Sequence, residues 1–514
     1  MDGFEFYGGI SHGVEKRSHV RSRIISNALC DLIKRSDSVI IMGHRMGDLD
    51  AVGSAVGLGN IWGFPYKMGR YGGFAFLIVY LLLVIFVGAV VMLGELTMGR
   101  KTGLGAVGAY GAFSKKHRWV GYIGVASAFF LLTFYNVLGG LVMRYMMGFL
   151  LELMGVDGFS GQEMSFWNYI LHDYGSIVFF NILFVVCNIV IVMGGIQSGI
   201  EKFTTVAMPA LFFMLLFVII YIATLPGAGE GFIYMFRPNW EPLSTASGFF
   251  EVVRVAAGQM FFSLSLGMGA MITYGSYLDK KEDIQKNSWI IPACDTTVAV
   301  MAALAVLPGC AAFGLDYGSG PGLLFNTMQN VFVSMGTFGN LIGFLFYFLV
   351  FIAAITSSIS LYEVIVTNRL DNAREKGKKA NRAKIICVAA VVTTIIGLPV
   401  ALDAIGGWFS GEPGLIPAPY QLLGYEFGAE GVPMFIDAWL DFFDVLSEGI
   451  LMPLGALIMT VLIGWVYKTD FVRAECEASG HKYRLAKVYE ICFKFITPIG
   501  VAIVLIGQIM DFFL

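Results

Sequence analysis

GSAVGLGNIWGFPY, residues 53–66, is an apolar segment broken by glycines and ending near Pro65. A second segment of the same kind reads FSLSLGMG, residues 262–269. Glycine has no Cβ and populates left-handed backbone freely, so such runs mark places where a helix stops and restarts. Both breaks also carry amide or hydroxyl side chains: Asn60 in the first, Ser263 and Ser265 in the second. Glycines also serve close helix packing. Their coincidence with polar side chains favours a binding site.

The surroundings of the two breaks are apolar throughout. Of 514 residues, 57% are hydrophobic, 14% are charged and 63 are glycine, with a net charge of −3. Soluble domains carry about 25% charged residues. This composition excludes a soluble globular protein, a disordered chain and a nucleic-acid binder. It fits an all-α polytopic membrane protein, in which small residues let helices approach closely. A bilayer core needs about 20 apolar residues per helix. Ten long segments follow Arg70, at about 73–98, 119–151, 176–196, 203–225, 248–276, 289–312, 338–366, 383–402, 442–466 and 488–513. With the short broken segment near 51–66 they make about eleven transmembrane helices. No ten-residue alternation of a membrane β-barrel is present.

The broken segments are the first and the sixth, so they occupy matched positions in two sets of five. Breaks at matched positions of two halves point to an inverted-repeat (5+5) transporter with its site at the breaks. With the first segment running outward, cytoplasmic loops carry 21 Lys and Arg, against Lys67, Arg70 and Arg237 outside. That bias predicts a multi-pass membrane protein with its N-terminus in the cytoplasm and its C-terminus outside. Glu95, Asp295 and Asp444 lie within apolar spans, where a charge is costly unless it faces a polar interior. The seven cysteines form no C-x-x-C pair and are expected to be free thiols.

GSAVGLGNIWGFPY (53–66), GGFAFLIVYLLL (72–83), FYNVLGG (134–140), GIEK (199–202), GQMFFSLSLGMGAMITYGSYL (258–278) and ITSSIS (355–360) resemble, in order, the sodium:neurotransmitter symporter family. They look like its eleven-span bacterial branch, over residues 51–514, which implies a bacterial inner membrane. The resemblance implies sodium-coupled import of a small, hydrophobic amino acid by alternating access. It implies two sodium sites and no organic cofactor, with membrane lipid and the solute as the partners. By resemblance, one sodium site uses the Ala55 carbonyl with Asn60, Ser263 and Asp295. The other uses the carbonyls of Gly53, Val56 and Ala353 with the hydroxyls of Thr356 and Ser357. Hydroxyls in a span can instead bond back to their own helix.

The substrate is expected between the breaks. Freed N–H groups around Leu58 and Gly59, with the Tyr135 hydroxyl, face its carboxylate. The carbonyls of Ala55, Phe262 and Ser263, with Ser265, take its ammonium group. Monoamine carriers of the family have an aspartate where this chain has Gly57, so a solute bringing its own carboxylate fits better. Leu131, Phe262, Met268 and Leu361, with Ser357 nearby, surround its side chain. Tyr80, Gln259 and Ser263 match positions around a family chloride site, but Asp295 already supplies a negative charge. Chloride-independent transport is expected.

Two departures from the family pattern stand out. Gly63 replaces an arginine that usually pairs with the acidic residue resembling Asp444, leaving Arg70 as a substitute. The cytoplasmic half of the first span is also missing, with the arginine that would pair with Asp371. Residues 1–50 hold 14 of the charged residues and read as a soluble fragment. Residues 7–56 resemble the start of a DHH-type cyclic-dinucleotide phosphodiesterase, with His44, Asp48 and Asp50 in a GHxxxDxD turn. The later Asp-His-His motif is absent, so no catalysis is expected. A fusion at the shared string GSAVGL, impairing transport, accounts for both resemblances. A second reading is a truncated phosphodiesterase fragment fused to a non-transporting membrane protein.

Overall fold

The computed structural model describes residues 57–514, apart from 162–165, 194–196, 319, 408–410, 430–431, 479 and 514. The fragment 1–50 and the expected ligands Gly53, Ala55 and Val56 lie outside the described residues, as does the GHxxxDxD turn. Among the described residues all regular structure is helical.

The first described element is α1, a π-helical turn Gly59–Gly63 that continues into Phe64–Arg70. Then follow α2 (Phe74–Thr102), α3 (Lys115–Leu153), α4 (Tyr174–Met193) and α5 (Gln197–Ala223). The second half holds α6 (Ala246–Ser263), α7 (Ala270–Gly275), α8 (Ile284–Ala312), α9 (Leu323–Ser334) and α10 (Thr337–Glu375). It closes with α11 (Arg382–Leu402), α12 (Trp439–Tyr467) and α13 (Ala486–Gln508). Among the described residues eight helices are long and apolar enough to cross a membrane. A ninth candidate is the pair Ala207–Ala223 and Ala228–Leu243, bent by 115°. All ten long segments expected after Arg70 fall on helices. Segment 248–276 is divided between α6 and α7 at the expected break.

The reason for that break is visible in the backbone. Ser265, Gly267 and Gly269 have φ of 54°, 78° and 77°, which no continuous α-helix accommodates. A Cβ on Gly267 would lie 2.1 Å from the Met452 carbonyl oxygen, so α12 also excludes a side chain there. The Gly267 N–H that the break frees donates to Glu95 Oε1 of α2 at 2.7 Å. Glu95 therefore satisfies a backbone donor that apolar surroundings would otherwise leave unpaired. α3 and α10 pack along each other, and α8 packs on α1.

Candidate functional site

A small cavity of about 20 Å³, room for roughly one water, lies at the breaks. Gly57 and Gly59, Leu131 and Tyr135 of α3, Phe262, Ser263 and Ser265 at the α6 break, and Ser357 and Leu361 of α10 line it. These are nine of the twelve residues expected around the substrate. Leu58 and Met268 are buried but do not line it, and Ala55 lies outside the described residues.

The expected carboxylate donors converge. The Leu58 N–H donates to the Tyr135 hydroxyl at 3.3 Å, and Tyr135 is also hydrogen-bonded to Ser357. A Cβ on Gly57 would sit 2.3 Å from Ser357 Oγ and 3.0 Å from the Tyr135 hydroxyl. Glycine is thus needed here for close approach, and an acidic side chain has no room. The Phe262 ring meets Tyr135 edge-on, with centroids 6.3 Å apart.

Next to the cavity three oxygen-bearing side chains come together from three helices. Asn60 Nδ2 of α1 donates to Asp295 Oδ1 of α8 at 2.6 Å. Ser263 Oγ at the end of α6 donates to Asp295 Oδ2 at 2.6 Å and also contacts Asn60 Oδ1. All three are buried. One carboxylate, one amide oxygen and one hydroxyl, sealed from solvent, suit a hard monovalent cation. Of the second expected set, Ala353, Thr356 and Ser357 lie on α10, where Thr356 Oγ1 donates to the Ala353 carbonyl at 3.0 Å. That is the hydroxyl-to-own-helix bond weighed above; it keeps both oxygens side by side.

Of the positions matched to the family's chloride site, Tyr80 and Gln259 are buried, and Gln259 Nε2 donates to the Gly59 carbonyl at 2.7 Å. Cys187, Cys310, Cys387 and Cys492 are free thiols.

The side of the site toward the C-terminal end of α1 departs from expectation. Asp444 does not look to Arg70. Lys67, one helical turn beyond Gly63, is buried at 3% exposure with Nζ 2.7 Å from Glu448 Oε2 and 3.7 Å from Asp444 Oδ2. In the sequence Lys67 counts as an outer-loop charge, because the broken segment ends near Pro65. In fact α1 runs on to Arg70. Glu448 was missed altogether. A spacing of four from Gly63 to Lys67 and from Asp444 to Glu448 was the available signal.

On the opposite side Asp371 accepts from the Gly105 N–H at 3.0 Å. Nearby, Glu363 pairs with Arg382 at 2.5 Å and accepts from Thr367 at 3.0 Å and from the Tyr277 hydroxyl at 3.4 Å. The sequence reading had not singled out this group.

The α6–α7 break and the start of α1, facing one cavity within a bundle of membrane-length helices, define a polytopic helical transporter. Residues 48–154 and 159–409 match the sodium:neurotransmitter symporter family. An uncharacterized sodium-dependent transporter of Haemophilus influenzae is 31% identical over 473 residues, 90% of this chain and 96% of that protein. The uncharacterized sodium-dependent transporter YhdH of Bacillus subtilis is 31% identical over 465 residues, 89% and 95% of the two chains. A crystal structure of MhsT in complex with L-phenylalanine shares 31% identity and superposes with a TM-score of 0.78, covering 91% of this chain and 99% of that one. The chain belongs to the sodium:neurotransmitter symporter family. It is a multi-pass, sodium-coupled symporter of a small-molecule substrate, and its relatives are transporters rather than enzymes.

Proposed function

We propose that this chain imports a small, hydrophobic amino acid together with sodium by alternating access. The convergence of Asn60, Ser263 and Asp295 from three helices beside the cavity carries this reading. Two sodium ions are co-transported. The first is held by the Asn60–Ser263–Asp295 group with the Ala55 carbonyl. The second is held by the carbonyls of Gly53, Val56 and Ala353 with Thr356 and Ser357. The substrate carboxylate meets the Leu58 and Gly59 N–H groups and the Tyr135 hydroxyl. Its ammonium group meets Ser265 and the carbonyls of Ala55, Phe262 and Ser263. Its side chain lies among Leu131, Phe262, Met268 and Leu361. The bound L-phenylalanine of the MhsT complex supports an apolar amino acid. At about 20 Å³ the cavity takes such a solute only as its walls move apart, which alternating access requires.

The protein sits in a bacterial inner membrane with its N-terminus in the cytoplasm and its C-terminus outside. Residues 1–50 are a fused phosphodiesterase fragment without catalysis, and their replacement of the first half-span slows transport. Sequencing genomic DNA across codons 40–60 tests the fusion. A natural continuous reading frame excludes an assembly artefact.

Proteoliposomes with an inward sodium gradient test the transport reading. Labelled leucine or phenylalanine is expected to accumulate, and to stop when potassium replaces sodium. Sodium-independent uptake, or no uptake of any of the twenty amino acids, would refute it.

A further inference from the structure

Of the three basic residues that the loop count assigns to the outside, Lys67 is buried against Glu448, and Arg70 lies 5.8 Å from the centroid of the Tyr71 ring. Arg237 is exposed and lines a second cavity, of about 500 Å³ against about 20 Å³ at the breaks. Small-molecule sites occupy roughly 300–1,000 Å³. The two cavities share no lining residue.

One wall is the helix Ala228–Phe236, which follows α5 and is capped by Arg237. Ile233, Tyr234 and Arg237 follow Glu230 by three, four and seven residues, the spacing of one helix face, and all four line the cavity. Tyr317, from the segment between α8 and α9, lines it too and stacks on Tyr234 with centroids 4.5 Å apart. Ile233 is 54% exposed. The wall therefore offers an acid at one end, a guanidinium at the other and apolar surface between them. Neither the Glu230 carboxylate nor the Arg237 guanidinium has a hydrogen-bond or ion-pair partner among the described residues. Seven residues apart, they lie beyond the three- or four-residue spacing at which helix side chains pair.

Their separation sets the length of what fits between them. Seven residues of helix rise about 10 Å. A charge-assisted hydrogen bond at each end takes about 2.8 Å, which leaves roughly 5 Å between the charges of a ligand. A single α-amino acid carries both charges on one carbon and falls short. A chain of two residues spans at most about 7 Å and covers the gap.

We propose that this cavity is a second binding site, for a dipeptide-sized solute with free amino and carboxyl ends. Arg237 takes the carboxylate as a two-pronged donor. Glu230 takes the ammonium group, and an apolar side chain lies on Ile233 and the tyrosine pair. The site adjoins α1: the Tyr234 hydroxyl donates to the Gly69 carbonyl at 2.8 Å, and a Cβ on Gly69 would lie 2.7 Å from the Tyr317 carbonyl oxygen. A ligand there rests on the residues that grip the end of α1.

The test uses full-length protein in lipid nanodiscs, with potassium replacing sodium so that the central cavity lacks its coupling ion. L-Leucyl-L-leucine is titrated and followed by saturation-transfer NMR. It is expected to bind, and Arg237→Gln and Glu230→Gln should each weaken it by tenfold or more. Both positions are exposed, so the variants should fold, and an unchanged thermal unfolding midpoint checks that they do. N-Acetyl-leucyl-leucine and leucyl-leucine amide, each lacking one charge, should lose as much, and free leucine should bind at least tenfold more weakly. No binding to the native protein, binding unchanged in both variants, or leucine bound as tightly as the dipeptide overturns the proposal. Failure of leucine to bind in sodium would sink the transport reading instead, since the sodium-free titration does not depend on it.

Discussion

Asn60, Ser263 and Asp295 reach one point from α1, α6 and α8, across sequence separations of 32 to 235 residues. Ala353, Thr356 and Ser357 instead lie within about one turn of α10, where Thr356 bonds the Ala353 carbonyl. The first group exists only while three helices stand in register. The described members of the second all stand on α10, and its Gly53 and Val56 carbonyls lie outside the described residues. A group that spans helices makes ion binding depend on their relative position, which is what coupling an ion to a conformational change requires. A group local to one helix gains that dependence only from whatever faces it.

Disabling the carboxylate of the spanning group should have the largest effect. Asp295→Ala strands the Asn60 amide and the Ser263 hydroxyl and removes the site's charge. Sodium affinity should fall by about 100-fold or more, measured as the sodium concentration for half-maximal binding. An effect below about tenfold would remove the contrast between the two groups.

Filling the space at Gly57 comes next. Gly57→Ala places a methyl 2.3 Å from Ser357 Oγ. Overpacking of this kind costs about 1–3 kcal/mol, so amino-acid affinity should fall by roughly 10–100-fold. Adding Ser357→Ala should recover part of that loss, because the nearest clash is with the hydroxyl. No recovery would mean that Ser357 serves the substrate or sodium directly.

Thr356→Val probes the local group. Losing one hydroxyl ligand should raise the sodium requirement by about tenfold. A change under about twofold would leave its hydroxyl only the bond to Ala353. Replacing chloride with gluconate should have the smallest effect and leave uptake unchanged. Abolished uptake would assign Tyr80, Gln259 and Ser263 to an anion rather than leave Ser263 wholly to the cation group.

The legibility of the site followed the same division. Asn60, Ser263 and Ser265 were visible because polar residues at glycine breaks stand out against an apolar background. Asp295 was visible as a carboxylate in a span. Glu95 was visible too, but its task was not, since the donor it satisfies is a backbone N–H 172 residues away. Lys67 was misread as a loop charge and Glu448 passed unnoticed, because each makes sense only opposite the other.

Membrane class, helix positions and the break between α6 and α7 were legible in the sequence alone. Apolar length and glycine content are local properties, and the bilayer reads them segment by segment. Which cation meets which acid was decided only by the tertiary structure. That choice depends on how far each helix runs, how it is rotated and how closely it approaches its neighbour. Gly63 closed one pairing, and the extra turn of α1 to Arg70 opened another at Lys67. In a medium that leaves no buried charge unpaired, packing selected the partner.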